Sequence, residues 1–441
     1  MKRLLSLLLC AVLALFCATT AQAAGVSITL TASEYALHYA FDAGAQDPFV
    51  ILEYTTPAEK GWMMLYSEDG HFEGDVSLAY SGAGGKTSVA LTSARTTGSI
   101  GKASTTLPKA ADYQKPTGKS NAKVTDFVLT ETPEGFHYAF NAAGTDYMLL
   151  YWRSKEQTVT QPVYPDENGH YEGDVVSELT FARTQFTVQV KSGSGSMKKE
   201  ATVRKGYQVP EAPQRQEGRL SGVTVCIDAG HQENGRFVNE PIGPGLSGST
   251  SGKGGMAQGT KTNRRESIVC LEIGMLLRDE LLRQGANVVM TREDQTTFHT
   301  NIERCEIAEA GGAQIMLRLH CNNSSNRSKR GIQVYGPLNS DYAKAVADAD
   351  TYREMGQKLL DAMKTRVGMT LANSTGMVRL NDNYVGNNWA KMMCFLVEMG
   401  YLSNPAEEYL LVTPVYQQWL AEGMADGVYE IAVARGWVQA Q

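Results

Sequence analysis

Four side chains, far apart in a 441-residue sequence, are of the types that hold a catalytic metal and move a proton: His231, Glu266, His320 and Glu398. His231 ends VTVCIDAGH and His320 ends IMLRLH, so each follows an apolar run that reads as a buried strand. In an open α/β sheet, ligands gather at the carboxyl edge of the strands. Glu266, in RRES, opens a helical run that starts near that edge. Glu398 closes MCFLVE, and a carboxylate placed straight after Phe395, Leu396 and Val397 needs a metal, a proton or a cation to offset its burial. Two histidines and a glutamate are a recurring ligand set for one catalytic Zn2+, with water as the fourth partner. Zinc brings that water's pKa toward neutrality, and a second carboxylate outside the ligand set takes its proton. Structural histidines at strand ends are the competing reading, and HExxH is absent.

The elements that must position these groups alternate strand and helix from residue 219 onward. Strands are expected at 223–228, 287–291, 314–320, 332–335 and 393–399. Helices are expected at 265–284, 301–310, 342–367 and 415–435. Such alternation makes an α/β domain, residues 219–441, with a mostly parallel sheet flanked by helices. Residues 232–262 are rich in glycine and serine and read as a loop.

The first half has a different texture. LHYAF at 37–41 returns as FHYAF at 136–140, and GHFEGDV at 70–76 returns as GHYEGDV at 169–175. Short alternating runs within each copy predict two duplicated β-sandwich domains, immunoglobulin-like, at residues 25–108 and 122–207. The Pro- and Gly-containing stretches at 106–122 and 209–218 read as linkers that leave the copies free to reorient. Four histidines (His38, His71, His137, His170) occupy duplicated positions beside aromatics and read as surface packing rather than a metal or sugar site.

Residues 1–24 have a basic start, an apolar run and Ala21-Gln22-Ala23, which together read as a secretory signal peptide. Nothing later is apolar enough to span a bilayer, so no membrane association is expected after cleavage. A formal charge of −6 argues against nucleic acid as the main ligand. Five cysteines follow residue 220, without a CxxC pair, and read as small buried hydrophobes.

At these residues the sequence resembles a known family. DAGH, the start of the Glu266 helix, TRED at 291–294, Arg304, LRLHCN and FLVEMGYLSNPAEEYLL resemble the zinc-dependent N-acetylmuramoyl-L-alanine amidases of the Amidase_3 type, over about residues 220–436. NEPIGPG at 239–245 and NNWAK at 387–391 resemble a subgroup of Gram-positive amidases with a long loop here. The resemblance implies zinc on His231, Glu266 and His320, with zinc-bound water as nucleophile and Glu398 as general base and then acid. The implied activity is that of an exported peptidoglycan hydrolase, extracellular or in the cell wall. It would cut the amide between the lactyl group of N-acetylmuramic acid and L-alanine of the stem peptide. Ala229 stands where the family usually has proline, and Gln232-Glu233 where glycines often follow. Glu272, Glu280 and Glu240 are the other carboxylates near the Glu266 position, and His299 is a spare imidazole. Arg292, Arg304, Asn322 and Trp389 are expected to orient or line the substrate groove, with salt bridges the alternative for the arginines. The repeats would bind a cell-wall polymer or a protein partner. A surface adhesion or scaffold protein whose amidase-like domain is inactive and a zinc peptidase acting within the stem are the competing functions.

Overall fold

The computed structural model describes the chain outside residues 1–17, 23–24, 79, 97, 114–122, 133–134, 144, 146, 155–156, 177–184, 193–194, 205–210, 233–237, 251–254, 263, 369–376 and 441. It forms two compact units, residues 1–206 and 207–441. The leader read at 1–24 lies outside the described residues except for Ala18–Gln22, which forms a strand.

Strand β1 (Ala18–Gln22) lies in the stretch read as the leader, and the first repeat supplies the strands that follow, through β8 (Ser99–Leu107). Between them run β2 (Ser27–Ser33), β3 (Ala36–Asp42), β4 (Phe49–Thr55), β5 (Glu59–Tyr66), β6 (His71–Ser77) and β7 (Gly85–Ser93). One sheet has the order β1-β2-β3-β6, and β8-β7-β4-β5 forms the facing layer. Period-2 alternation turns Ile28, Leu30, Leu37, Tyr39 and Phe41 of one layer onto Val50, Leu52, Tyr54, Val89 and Leu91 of the other, in one apolar core.

The second repeat supplies β9 (Val124–Thr132), β10 (Gly135–Ala142), β11 (Met148–Arg153), β12 (Gln157–Val163), β13 (His170–Val176), β14 (Gln185–Lys191) and β15 (Met197–Arg204). Its layers are β13-β10-β9 and β15-β14-β11-β12, around a core that holds Trp152, Phe136 and Phe186. The expectation of freely reorienting repeats is corrected. Glu59–Gly61 of β5 pairs antiparallel with Gln157–Val159 of β12, which fuses the two layers into one eight-stranded sheet. Each of these edge strands has unpaired N–H and C=O groups that the other satisfies.

The duplicated histidines lie on outward faces. His38 and His71 both reach Glu73, at 3.3 and 3.6 Å, and bond Asp75 and Asp42. His137 and His170 repeat this around Glu172, with Asp174 and Asn141.

The second unit is built on a six-stranded sheet, β17-β16-β18-β21-β19-β20. Here β16 is Thr224–Ala229, β17 Asn287–Met290, β18 Ile315–Asn322, β19 Gln333–Gly336, β20 Met377–Leu380 and β21 Met393–Tyr401. The strands β17, β16, β18 and β21 are parallel, and β19 turns antiparallel to β21. Helices α1 (Glu266–Arg283), α4 (Ala349–Val367) and α7 (Pro414–Ala434) pack against the sheet or one another, while α2 (Asn301–Ala310), α3 (Asp341–Val346) and α5 (Val385–Trp389) form a second group. Short α6 (Glu407–Leu410) follows β21. The one long helix expected at 342–367 is two. Asp348 accepts a hydrogen bond from Thr351 N and starts α4, as Ser340 does for α3 through Ala343 N. Strand β20 and helices α5 and α6 were not expected from the sequence. No helix among the described residues is long and apolar enough to cross a membrane. All five cysteines of this unit are free and buried.

Candidate active site

The site is built outward from a buried charge. Asp228, at 0% exposure near the end of β16, sits between the guanidiniums of Arg304 and Arg318. Arg318 Nε donates to Oδ2 at 2.8 Å, and Thr291 Oγ1 donates to Oδ1 at 2.7 Å. Burial alone would raise this carboxyl, but the two guanidiniums more than offset it and hold it well below the usual carboxylate range.

The arginines also bind the turn that follows. Arg292 donates to the carbonyls of Ala229, Gly230 and Ser267 at 2.7, 2.9 and 2.7 Å. Arg304 donates to those of Ala229 and His231 at 3.0 and 3.1 Å. These bonds fix a turn in which His231 takes φ 58, a left-handed conformation uncommon for a residue with a side chain. Gly230 is required there, because a Cβ would lie 2.5 Å from Leu319 O and 2.6 Å from His320 Cε1. The turn thus presses directly against the second histidine.

Glu266 is the first residue of α1 and 3% exposed. Its Oε1 lies 2.9 Å from His320 Nδ1 and 3.1 Å from His231 Nε2. Ala257 N donates to Oε2 at 2.7 Å and Cys321 N to Oε1 at 3.1 Å, so backbone from both neighbouring segments locks the carboxylate. Burial pushes its pKa up, but the bonds to His231 and His320 outweigh this and hold it well below the usual range. Burial lowers the pKa of His320, which favours the neutral imidazole that a metal requires. The three donors lie within 4.8 Å of one another, the sole such group among the described residues.

Glu398 stands beside His320 in the parallel β18–β21 ladder and opposite Gln333 of β19. Its Oε2 is buried with no hydrogen-bond partner among the described residues. The facing Gln333 bonds elsewhere: Nε2 donates to Tyr401 Oη at 3.1 Å, and Oε1 accepts from Tyr335 Oη at 2.5 Å. Burial, and then the charge of Glu266, push Glu398 up to about 8. An orphaned acidic oxygen next to three converging donors fits a bound cation and a water, and the two-imidazole, one-carboxylate set suits a borderline ion such as zinc.

All four groups line a cleft of about 790 Å3, as do Asn322, His299 and Tyr384. Asn322 therefore reaches the groove, where it also bonds Gln333 Oε1 at 3.3 Å. Arg304 also lines the cleft, although it is almost fully buried and its guanidinium bonds Asp228 and the β16 turn; Arg292 is not part of the lining and is bonded to that turn. Trp389 does not line the cleft; its Nε1 donates to Pro241 O at 2.9 Å and its ring meets Tyr342 edge-on. Of the other carboxylates, Glu240 caps the start of α2 through Asn301 and Ile302 N, Glu272 lies near Arg264, and Glu280 pairs with Arg283. Asp228 is the residue that sequence reasoning passed over. The signal was present, since it too is a carboxylate directly after an apolar run.

Comparison with known proteins bears on the same region. Residues 225–430 match the family model Amidase_3, N-acetylmuramoyl-L-alanine amidase. The germination-specific N-acetylmuramoyl-L-alanine amidase of Bacillus subtilis (strain 168) is 26% identical over 231 residues, 49% of this chain and 83% of that protein. The probable cell wall amidase LytH of Staphylococcus aureus is 27% identical over 238 residues, 52% of this chain and 72% of that one. Among solved structures, the N-acetylmuramoyl-L-alanine amidase from Clostridium difficile 630 is 24% identical, with a TM-score of 0.38 covering 48% of this chain and 96% of that chain.

Proposed function

We propose that this chain, whose residues 225–430 belong to the N-acetylmuramoyl-L-alanine amidase family Amidase_3, is an exported peptidoglycan hydrolase that uses one zinc ion. Its substrate is the amide joining the lactyl group of N-acetylmuramic acid to L-alanine of the stem peptide. The observation that carries the mechanism is the unpaired, buried Oε2 of Glu398 beside the His231–Glu266–His320 group.

His231, Glu266 and His320 would hold the zinc ion, which when bound would supply Lewis acidity toward an amide carbonyl and acidify a water. Glu398 Oε2 then accepts the water's proton and passes it to the leaving alanine nitrogen. Its burial keeps the carboxyl free of competing hydrogen bonds, and its raised pKa suits a group that must both take and give a proton near neutrality. Glu266 stays ionised and oriented by two backbone N–H groups, and Asp228 with its arginines holds the His231 turn. Asn322 and Tyr384 contact the substrate at the cleft wall.

Export rests on the leader-like residues 1–24 and on the cell-wall naming of a relative. The repeats are two copies of one immunoglobulin-like sandwich, a reading supported by their matching strand orders, β2-β3-β6 facing β8-β7-β4-β5 and β9-β10-β13 facing β15-β14-β11-β12. The test is to digest purified peptidoglycan with the zinc-loaded chain and label the new amines. L-alanine is expected. New diamino-acid or D-alanine ends would mean a peptidase, and no new amine would mean an inactive scaffold.

A further inference from the structure

A second cleft, of about 730 Å3, lies wholly within the first unit, on the solvent face of its eight-stranded sheet. Lys60 of β5, Lys86 of β7 and Lys102 of β8 stand around it, all exposed, and none makes an ion pair among the described residues. Thr55, Ser88 and Glu53 form its floor, and Glu53 offsets one of the three positive charges. The chain as a whole carries −6, so this face runs against the overall balance.

The second repeat shows that the scaffold does not require these lysines. Glu53 faces Trp62 as Tyr151 faces Thr160, which makes Thr158 the counterpart of Lys60. Ala90 faces Lys102 as Gln189 faces Glu200. Lys86 precedes buried Thr87 as Gln185 precedes buried Phe186. The same three positions thus hold Thr158, Gln185 and Glu200 in a sandwich that folds alike. Thr158 also lies directly across the repeat junction from Lys60 and closes the cleft.

Strand spacing and rise place the three lysine positions roughly 12–16 Å apart, too far for one small anion to meet them all. A linear polymer with charges at intervals of that order would meet each in turn. We propose that this cleft holds a peptidoglycan strand by the carboxylates of its stem peptides, apart from the strand being cut. The cationic cleft stands on its own geometry; the choice of polymer rests on the amidase reading. The hydroxyls of Thr55 and Ser88 suit the sugar backbone between charges.

The test compares the full chain with its K60Q/K86Q/K102Q variant, in chelator to stop hydrolysis. Each is sedimented with insoluble peptidoglycan stripped of covalently attached phosphate polymers. The variant should bind about tenfold more weakly, and wild-type binding should fall as salt rises. With zinc restored, both should turn over a soluble muramoyl-peptide monomer equally. The single variant K102E copies the second repeat's own residue at that position and should reproduce part of the loss, which removes misfolding as an explanation. Equal binding by wild type and triple variant would overturn the proposal. So would wild-type binding that vanishes once the phosphate polymers are stripped, or competition by DNA as effective as by peptidoglycan at equal charge. If neither protein cuts the soluble monomer but lysine-dependent sedimentation persists, the amidase reading fails and the cleft stands.

Discussion

His231 and His320 flank Glu266 in one unit, and His38 and His71 flank Glu73 in the other. The residue types are the same, and each carboxylate meets both of its imidazoles. The surroundings differ. The Glu266 side chain is 4% exposed and fixed by two backbone donors, while that of Glu73 is 57% exposed on an outer strand. Water competes for every contact Glu73 makes, and its side chain must be ordered at an entropic cost. Only the buried group brings three donors within 4.8 Å. On the proposed reading, what suits the buried group to a metal is less which residues meet than what holds them still and dry.

This contrast can be broken by experiment. The largest expected effect is Glu398→Gln, which should cut turnover by about 10²–10⁴-fold while zinc content stays unchanged. Loss of zinc with activity would show that Glu398 is a ligand and not the proton carrier. Next is Asp228→Ala, which leaves Arg304 and Arg318 buried without their shared anion and should cost about 3–5 kcal/mol, read by denaturant unfolding. The native pair also implies an acid limit. Because the pKa of Asp228 is depressed in the folded chain, its stabilisation is full above the unfolded value near about 3.9. It is lost as pH falls below that toward the folded value. Unfolding of the second unit should therefore set in below about pH 4, and in the Asp228→Ala variant this acid dependence should be reduced; an unchanged acid profile would remove Asp228 from the account.

A smaller effect is expected from Gly230→Ala. The added methyl meets Leu319 O and the His320 ring, so about 1–3 kcal/mol of strain should appear as weaker zinc binding and a lower Tm. Wild-type zinc affinity in this variant would show that the turn does not set the position of His320. The smallest is His38→Gln with His71→Gln in the exposed group, which should leave zinc content, turnover and Tm within error. A clear change in any of these would erase the contrast.

Much of this was legible in the sequence, for physical reasons that can be named. His231, His320 and Glu398 each follow an apolar run, and burial on a parallel sheet forces the next polar side chain to its carboxyl edge. Glu266 was readable because a helix start is the one part of α1 near that edge. The arginines were readable only in part. Arg292 and Arg304 read in sequence as substrate-orienting groups or as salt bridges, and Arg304 does pair with Asp228, but the backbone carbonyls of Ala229, Gly230 and His231 that the two also bond leave no mark in the sequence. The β5–β12 junction was missed because pairing between two edge strands depends on main-chain groups that every residue shares. The split of the 342–367 helix was missed because the cap signal of Asp348 sits inside a continuous helical pattern.

The most direct measurement is zinc bound per chain in wild type, His231→Ala and the His38→Gln/His71→Gln double variant, after dialysis against a weak chelator. The account predicts about one zinc for wild type and the double variant and almost none for His231→Ala. Zinc that persists without His231 and disappears without His38 and His71 would contradict it.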